Sequence, residues 1–205
     1  MNEYENSWKS ESVFEKQLRL NKTEFRYATP THITSIIRML RLINPKNMLD
    51  VGCGCGGITQ YLNRDLPNIT YTGIDYSLDA VSIARREFGP KYNFECLNYN
   101  VLNDSYSTHY DLLSACGLHS VLSNGDEALE FLLTLGFKNI VLGKIGLTSE
   151  PSNFSTYIAY DEITTYCFKH NKELLINLFN NYNYMFIEDV LDMTASNFLL
   201  RKNNV

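Results

Sequence analysis

The residues with the greatest chemical potential form one run, Met48-Leu49-Asp50-Val51-Gly52-Cys53-Gly54-Cys55-Gly56-Gly57. A short apolar strand enters a glycine-rich turn, and Ile58, Tyr61, Leu62 and Leu66 follow at helical spacing. Such a turn lets a ligand approach the backbone closely, and the helix that follows offers unpaired N–H groups. A second chemical group, Asp75, ends the apolar segment Ile69–Asp75, about twenty residues further on. A carboxylate there can accept hydrogen bonds from both ribose hydroxyls of a bound nucleoside. Gly52, Gly54 and Gly57 also satisfy the dinucleotide spacing GxGxxG, so the glycines alone do not choose the ligand. Cys53 and Cys55 lack a second closely spaced cysteine pair, and no metal site is predicted.

The elements that must position these groups alternate in type. Val13, Gln17 and Leu20 share a face of a modest helix within a polar segment that also carries Tyr4, Trp8, Phe14, Phe25 and Tyr27. Thr29-Pro30 reads as a helix start, with Ile33, Ile36, Ile37 and Leu40 on one face and Asn44-Pro45 as the stop. After the glycine turn, Ser77 caps a helix carrying Ala80, Ile83, Ala84 and Phe88. Strands follow at NFECLNY and YDLLSAC. Ser123 with Asp126 resembles a capping box before Leu129, Leu132 and Leu133, and Gly136 suits that helix's end. Strand KNIVLGKI, a polar aromatic stretch over 147–166, a helix with Leu174, Leu175, Leu178 and Phe179, and two closing strands complete the chain. Alternation of strands and helices predicts a parallel sheet. The closing strands, separated by only a few residues, must pair antiparallel.

Composition bounds the function. The 205 residues suit one domain, and 44% hydrophobic residues can build a core. A net charge of −5 argues against a protein that coats nucleic acid. No apolar run is long enough for a membrane span, and the N-terminus lacks a signal-peptide core. Five cysteines, an odd number, read as reduced thiols. A cytoplasmic protein, monomer or homodimer, is expected.

LDVGCGCGG resembles the first motif of the class I S-adenosylmethionine-dependent methyltransferases, whose core reads roughly LDxGxGxG. Asp50 sits where dinucleotide dehydrogenases usually carry an apolar residue. GIDYS resembles that family's second motif, NFECLNYN its third-strand motif, and YDLLSACGLHSVL its fourth. The third departs from the usual acid followed by a small residue, having Asn98 and Tyr99, and the fourth keeps His119 but has Ser120 next.

The resemblance implies a three-layer Rossmann-like α/β fold with a seven-stranded, mostly parallel sheet and an antiparallel last strand. It implies S-adenosylmethionine as methyl donor, S-adenosylhomocysteine as product, and a small-molecule acceptor methylated on O, N or C, as in secondary metabolism. Asp50, Gly52, Cys53 and Gly54 would shape the pocket for the methionine part. Asp75 would hold the ribose, Tyr76, Asn98 and Tyr99 would sit near the adenine, and Ala115 and Cys116 near the donor's amino group.

His119, at the carboxyl end of a central strand, is the candidate general base or, equally, a packing residue under the substrate loop. Trp8, Tyr27, Tyr157 and Tyr160 are candidate acceptor-binding aromatics. The expected organisation is one domain over 1–205. Residues 1–44 form a helical lid, and 45–205 a core with a short substrate insertion around 147–166. A non-catalytic S-adenosylmethionine-binding protein or partner subunit, and a nicotinamide-dependent oxidoreductase, are the alternatives.

Overall fold

A computed structural model describes residues 7–23 and 29–203. Tyr4, Phe25 and Tyr27 lie outside the described residues. The sheet is built from β1 (Asn47–Val51), β2 (Thr70–Asp75), β3 (Asn93–Cys96), β4 (Leu112–Cys116), β5 (Asn139–Thr148), β8 (Tyr184–Val190) and β9 (Ala195–Lys202). Its order is β3-β2-β1-β4-β5-β9-β8. The first five strands run parallel, and β9 is antiparallel to both β5 and β8. The closing strands therefore pair as their short connection requires.

Both faces of this sheet are covered, which is why its central strands are nearly continuous apolar runs. Alternate residues point to opposite sides. Met48, Leu112, Val141 and Leu199 face one core. It is filled by α2 (Thr31–Ile43), α3 (Thr59–Asp65) and α4 (Leu78–Phe88). Leu49, Leu113, Ile140, Leu142 and Phe198 face the other, filled by α6 (Gly125–Thr134) and α7 (Lys172–Asn181). A short helix, α5 (Tyr106–His109), precedes β4. Among the described residues no helix is long and apolar enough to cross a membrane.

Three local expectations need correction. First, a lid over 1–44 is only half right. Ile33, Ile36, Met39 and Leu40 of α2 are buried in the sheet's core, so α2 is a layer of the sandwich. Among the described residues of 1–44, α1 (Glu11–Thr23) and the preceding Trp8 cover the carboxyl end of the strands. That helix is anchored, with Phe14 and Leu18 packed on Cys55, Ala80 and Ile83, and Val13 on Ala159 and Ile163.

Second, the stretch over 147–166 is not irregular. It contains most of a hairpin, β6 (Asn153–Ala159) and β7 (Ile163–Asn171), and β7 extends the end of β5 in parallel. The outer strand β6 is exposed along most of its length, so it has no apolar alternation to read. Its turn places Tyr160 and Asp161 at φ 56° each, without the glycine or asparagine that marks such turns. Third, Ser123 and Asp126 make no capping box. The helix begins after Asn124, with no side-chain cap, and Asp126 bonds elsewhere.

Asp50 is the buried acid of the sheet. Its Oδ2 accepts the Tyr71 hydroxyl proton at 2.8 Å. Burial pushes its carboxyl up from 3.8 to about 6, against the opposing pull of the Tyr71 bond. The folded state thus holds a proton that the unfolded state has already lost, and stability falls as pH rises from about 4 to about 6. Asp50→Asn should remove this decline. Its stability relative to the parent, from urea midpoints at several pH values, should rise by about 1–3 kcal/mol across that window. Parallel curves would show that Asp50 does not titrate there. Phe14→Ala should cost about 3 kcal/mol or more in the same measurement, as for a core aromatic. A loss under about 1 kcal/mol would mean that α1 is a loose flap.

Candidate functional site

The carboxyl ends of β1, β2 and β4 converge on the turn that the glycines make possible. Gly52 and Gly54 adopt φ of 74° and 54°, a left-handed backbone that suits glycine. The N–H groups of Gly52 and Cys53 both donate to the Ile74 carbonyl, at 2.9 and 3.0 Å. The Gly54 N–H donates to Asp75 Oδ2 at 2.9 Å, and the Ser77 N–H donates to Asp75 Oδ1 at 2.9 Å. Burial raises the Asp75 carboxyl above its ordinary range, opposed by these backbone bonds. The Tyr76 N–H favours its ionised form as well, so the carboxylate is met by three backbone donors.

Above this floor lies a cavity of about 800 Å³, a size that suits a cofactor. Gly52, Gly54, Asp75, Tyr76, Asn98, Tyr99 and Cys116 line it, seven of the ten residues predicted to meet the cofactor. Asn98 Oδ1 accepts the Asn100 N–H at 3.2 Å, capping its own turn while keeping a second lone pair. Lys9 Nζ stands 5.5 Å from the Tyr76 ring centre. Trp8, Tyr157 and Tyr160, expected at the acceptor, also line the cavity.

Asp50, Cys53 and Ala115 do not line it. Asp50 faces Tyr71 inside the sheet. The Cys53 thiol packs where a Cβ on Gly73 would sit, and burial pushes it well above its usual range. Ala115 is fully buried among the residues that α6 and α7 cover. These three lie beneath the floor rather than in the cavity's lining.

His119 departs most from expectation. It begins a 3-10 turn, His119–Val121, but its ring is fully buried and lies behind the cavity wall. The neighbours on its loop, Leu118 and Val121, form that wall instead. The ring packs 5.5 Å from His170, whose Nδ1 lies 2.5 Å from Asp126 Oδ1. Burial, then the neighbouring His170, lowers the His119 imidazole well below its ordinary value, so it is neutral. A neutral ring shut away from the cavity has no path to a substrate proton, and the general-base assignment is withdrawn.

Sequence reading missed part of the roof and one charge. Phe14 and Gln17 of α1 line the cavity. Gln17 Nε2 donates to the Tyr160 hydroxyl at 3.0 Å, and Trp8 Nε1 donates to Thr165 Oγ1 at 2.7 Å, joining α1 to the hairpin. Lys144 lines the cavity as well, and its charge inside the otherwise uncharged run NIVLGKI was the available signal.

Comparison with known proteins agrees with this geometry. Residues 49–135, less than half of the chain, match the model of a methyltransferase domain. A 44-residue segment is 43% identical to a fatty-acid O-methyltransferase of Mycolicibacterium smegmatis, covering 22% of this chain and 16% of that protein. The matched segment thus spans about a sixth of that curated relative. Magnesium protoporphyrin IX methyltransferase of Synechocystis PCC 6803, with S-adenosylhomocysteine bound, superposes with a TM-score of 0.68 at 12% identity. The match covers 94% of this chain and 95% of that one. Human N-acetylserotonin methyltransferase, in complex with S-adenosylmethionine, gives 0.67 at 14% identity over 99% and 60%. An S-adenosylmethionine-dependent methyltransferase from Clostridium acetobutylicum gives 0.64 at 14% identity over 93% and 99%. Residues 49–135 thus match a methyltransferase domain, and the chain, with its glycine turn, the acid that ends β2 and its reversed strand β9, shares the Rossmann-like α/β fold of S-adenosylmethionine-dependent methyltransferases.

Proposed function

We propose that this chain transfers the methyl group of S-adenosylmethionine to O, N or C of a small-molecule acceptor. The observation that carries this reading is the carboxylate of Asp75. It is met by the backbone N–H groups of Gly54, Ser77 and Tyr76 and lines a cavity of about 800 Å³. The residues present fit the donor. Asp75 can receive two ribose hydroxyls, the backbone at Gly52 and Gly54 admits close approach, and Trp8, Tyr76 and Tyr160 offer aromatic faces suited to a sulfonium. The donor, when bound, supplies an activated methyl group, so the protein's task is alignment and exclusion of water.

The chain's own residues divide that task. The glycine turn and Asp75 hold one end of the cavity. Leu118 and the loop of Val121 to Asn124 form a wall, and His119, His170 and Asp126 fix that loop from behind. Trp8, Phe14, Gln17, Tyr157 and Tyr160 form the cover. The proposed organisation is one domain with α1 and the hairpin as that cover. Proteins of similar fold act on small molecules, by name N-acetylserotonin and magnesium protoporphyrin IX, and a cavity of this size suits such an acceptor. A cytoplasmic monomer or homodimer, with neither nucleic acid nor membrane as partner, accords with the net charge of −5.

Calorimetry should show S-adenosylhomocysteine binding at micromolar Kd and NAD far more weakly. NAD binding without S-adenosylhomocysteine binding would sink the reading. Asp75→Asn should weaken S-adenosylhomocysteine by about 10–100-fold, the loss of charged hydrogen bonds worth about 1–3 kcal/mol. His119→Ala should cost about 2–4 kcal/mol of stability, as for other buried side chains. It should change S-adenosylhomocysteine affinity less than about threefold, since a tenfold change needs 1.4 kcal/mol. The reverse pattern would put His119 on the ligand.

A further inference from the structure

A second cavity, of about 440 Å³, lies beside the first. The two share Gly117, Val121, Lys144 and Tyr157 in their walls, so Lys144 stands at their junction. Its placement is built. Leu142 pairs with Phe198 and Ile145 with Ser196, leaving Gly143 and Lys144 opposite the single residue Asn197. This is a β-bulge, a device that re-aims a side chain. Lys144 sits at φ 57°, in the left-handed region that is costly for a side-chain-bearing residue. Asn197, fully buried, holds it there. Its Oδ1 accepts the Lys144 N–H at 2.8 Å, while its Nδ2 donates to the His32 carbonyl at 2.8 Å. Ser120 Oγ donates to the Lys144 carbonyl at 2.8 Å. A strained lysine over-determined by a buried asparagine serves its side chain, since a regular ladder would satisfy the same backbone groups.

The ammonium is exposed, and no carboxylate among the described residues lies within ion-pair distance of it. The second cavity's other ionisable side chains are Tyr157, Tyr166, Cys167, His32, Lys169 and Asp192. His32 is lowered to about 4 by burial and then by Lys144, so it is neutral. Asp192 is engaged by the Thr194 N–H and hydroxyl. Val121, Tyr157, Phe168, Leu191 and Ala195 give the same cavity an apolar lining.

On the methyltransferase reading above, we infer that the acceptor is an amphipathic carboxylate whose anion is bound by Lys144 and whose apolar body occupies the second cavity. Such an acceptor arrives already ionised. The absence of any histidine from the donor cavity's lining among the described residues then has a reason, because no proton must be removed.

The test is calorimetric titration of octanoate and of octan-1-ol, into protein saturated with S-adenosylhomocysteine and into protein without it. Octanoate should bind about tenfold tighter than the alcohol, the ratio that one partly desolvated charged contact gives. Lys144→Met should abolish that preference and Lys144→Arg should keep most of it. S-adenosylhomocysteine affinity should stay within about threefold in both variants, since the lost contact is made to the acceptor. Equal binding of acid and alcohol, binding of neither, or a preference that survives Lys144→Met would overturn the inference. So would a Lys144→Met variant that loses S-adenosylhomocysteine, because Lys144 would then hold the donor's own carboxylate. Failure of S-adenosylhomocysteine to bind the parent protein, with the octanoate preference intact, would instead strike the methyltransferase reading and leave the anion site standing.

Discussion

A single hydrogen bond ties the site together, that from the Gly54 N–H to the Asp75 carboxylate. It joins the turn after β1 to the end of β2, and the neighbouring bonds to the Ile74 carbonyl reinforce the join. Asp75 is 8% exposed and its carboxyl is raised by burial, so the ionised form is under-solvated in the free protein. The backbone donors of Gly54, Ser77 and Tyr76 offset only part of that cost. Ligand hydroxyls would add to the set. Binding and local stability are therefore coupled at this acid: a ligand that supplies two donors relieves a burial penalty that the fold already bears.

What was legible in the sequence follows from where two signals agree. The strand–turn–helix around Gly52 to Gly57 and the acid at Asp75 were readable because backbone conformation and chemistry demand the same residues. The two-faced sheet was readable because its central strands are nearly continuous apolar runs. The hairpin was not, since β6 lies in solvent and its turn uses Tyr160 and Asp161 at positive φ. His119 was misread for a different reason. Its position after β4 was right, but its side chain packs on His170 of β7, which in turn packs on Phe168. Those residues belonged to a segment not recognised as a strand. Lys144 was passed over because a bulge has no composition of its own; Asn197, fifty-three residues later, makes it.

The cover differs in kind from the floor. The floor is held by backbone bonds and a sheet buried on both faces. The cover is held by side chains across a gap: Trp8 to Thr165, Gln17 to Tyr160, and Lys16 to the Tyr160 carbonyl. Beneath them Val13 packs with Ala159 and Ile163, a small cluster beside the two cores of the sheet. Regions with few buried apolar contacts open at the lowest free energy. Access to the cavity can therefore be gained by parting α1 from the hairpin tip without disturbing the strands that carry Asp75. The positive φ at Tyr160 works in the same sense, as strain that the closed arrangement must hold in place.

Electrostatics also divides the molecule. The histidines near the site are kept out of its chemistry by burial. His119 is neutral behind the wall, and His170 is committed to Asp126. Partial burial pushes the Asp126 carboxyl up, but bonds from His170 and Ser152 outweigh it and the net shift is down. This buried polar group fixes a loop whose apolar residues, Leu118 and Val121, meet the cavity. The protein thus keeps its buried histidines for rigidity and leaves the cavity to backbone, aromatic faces, Asp75 and Lys144. That division suits a reaction in which the leaving group is already charged and the barrier lies in bringing donor and acceptor into line.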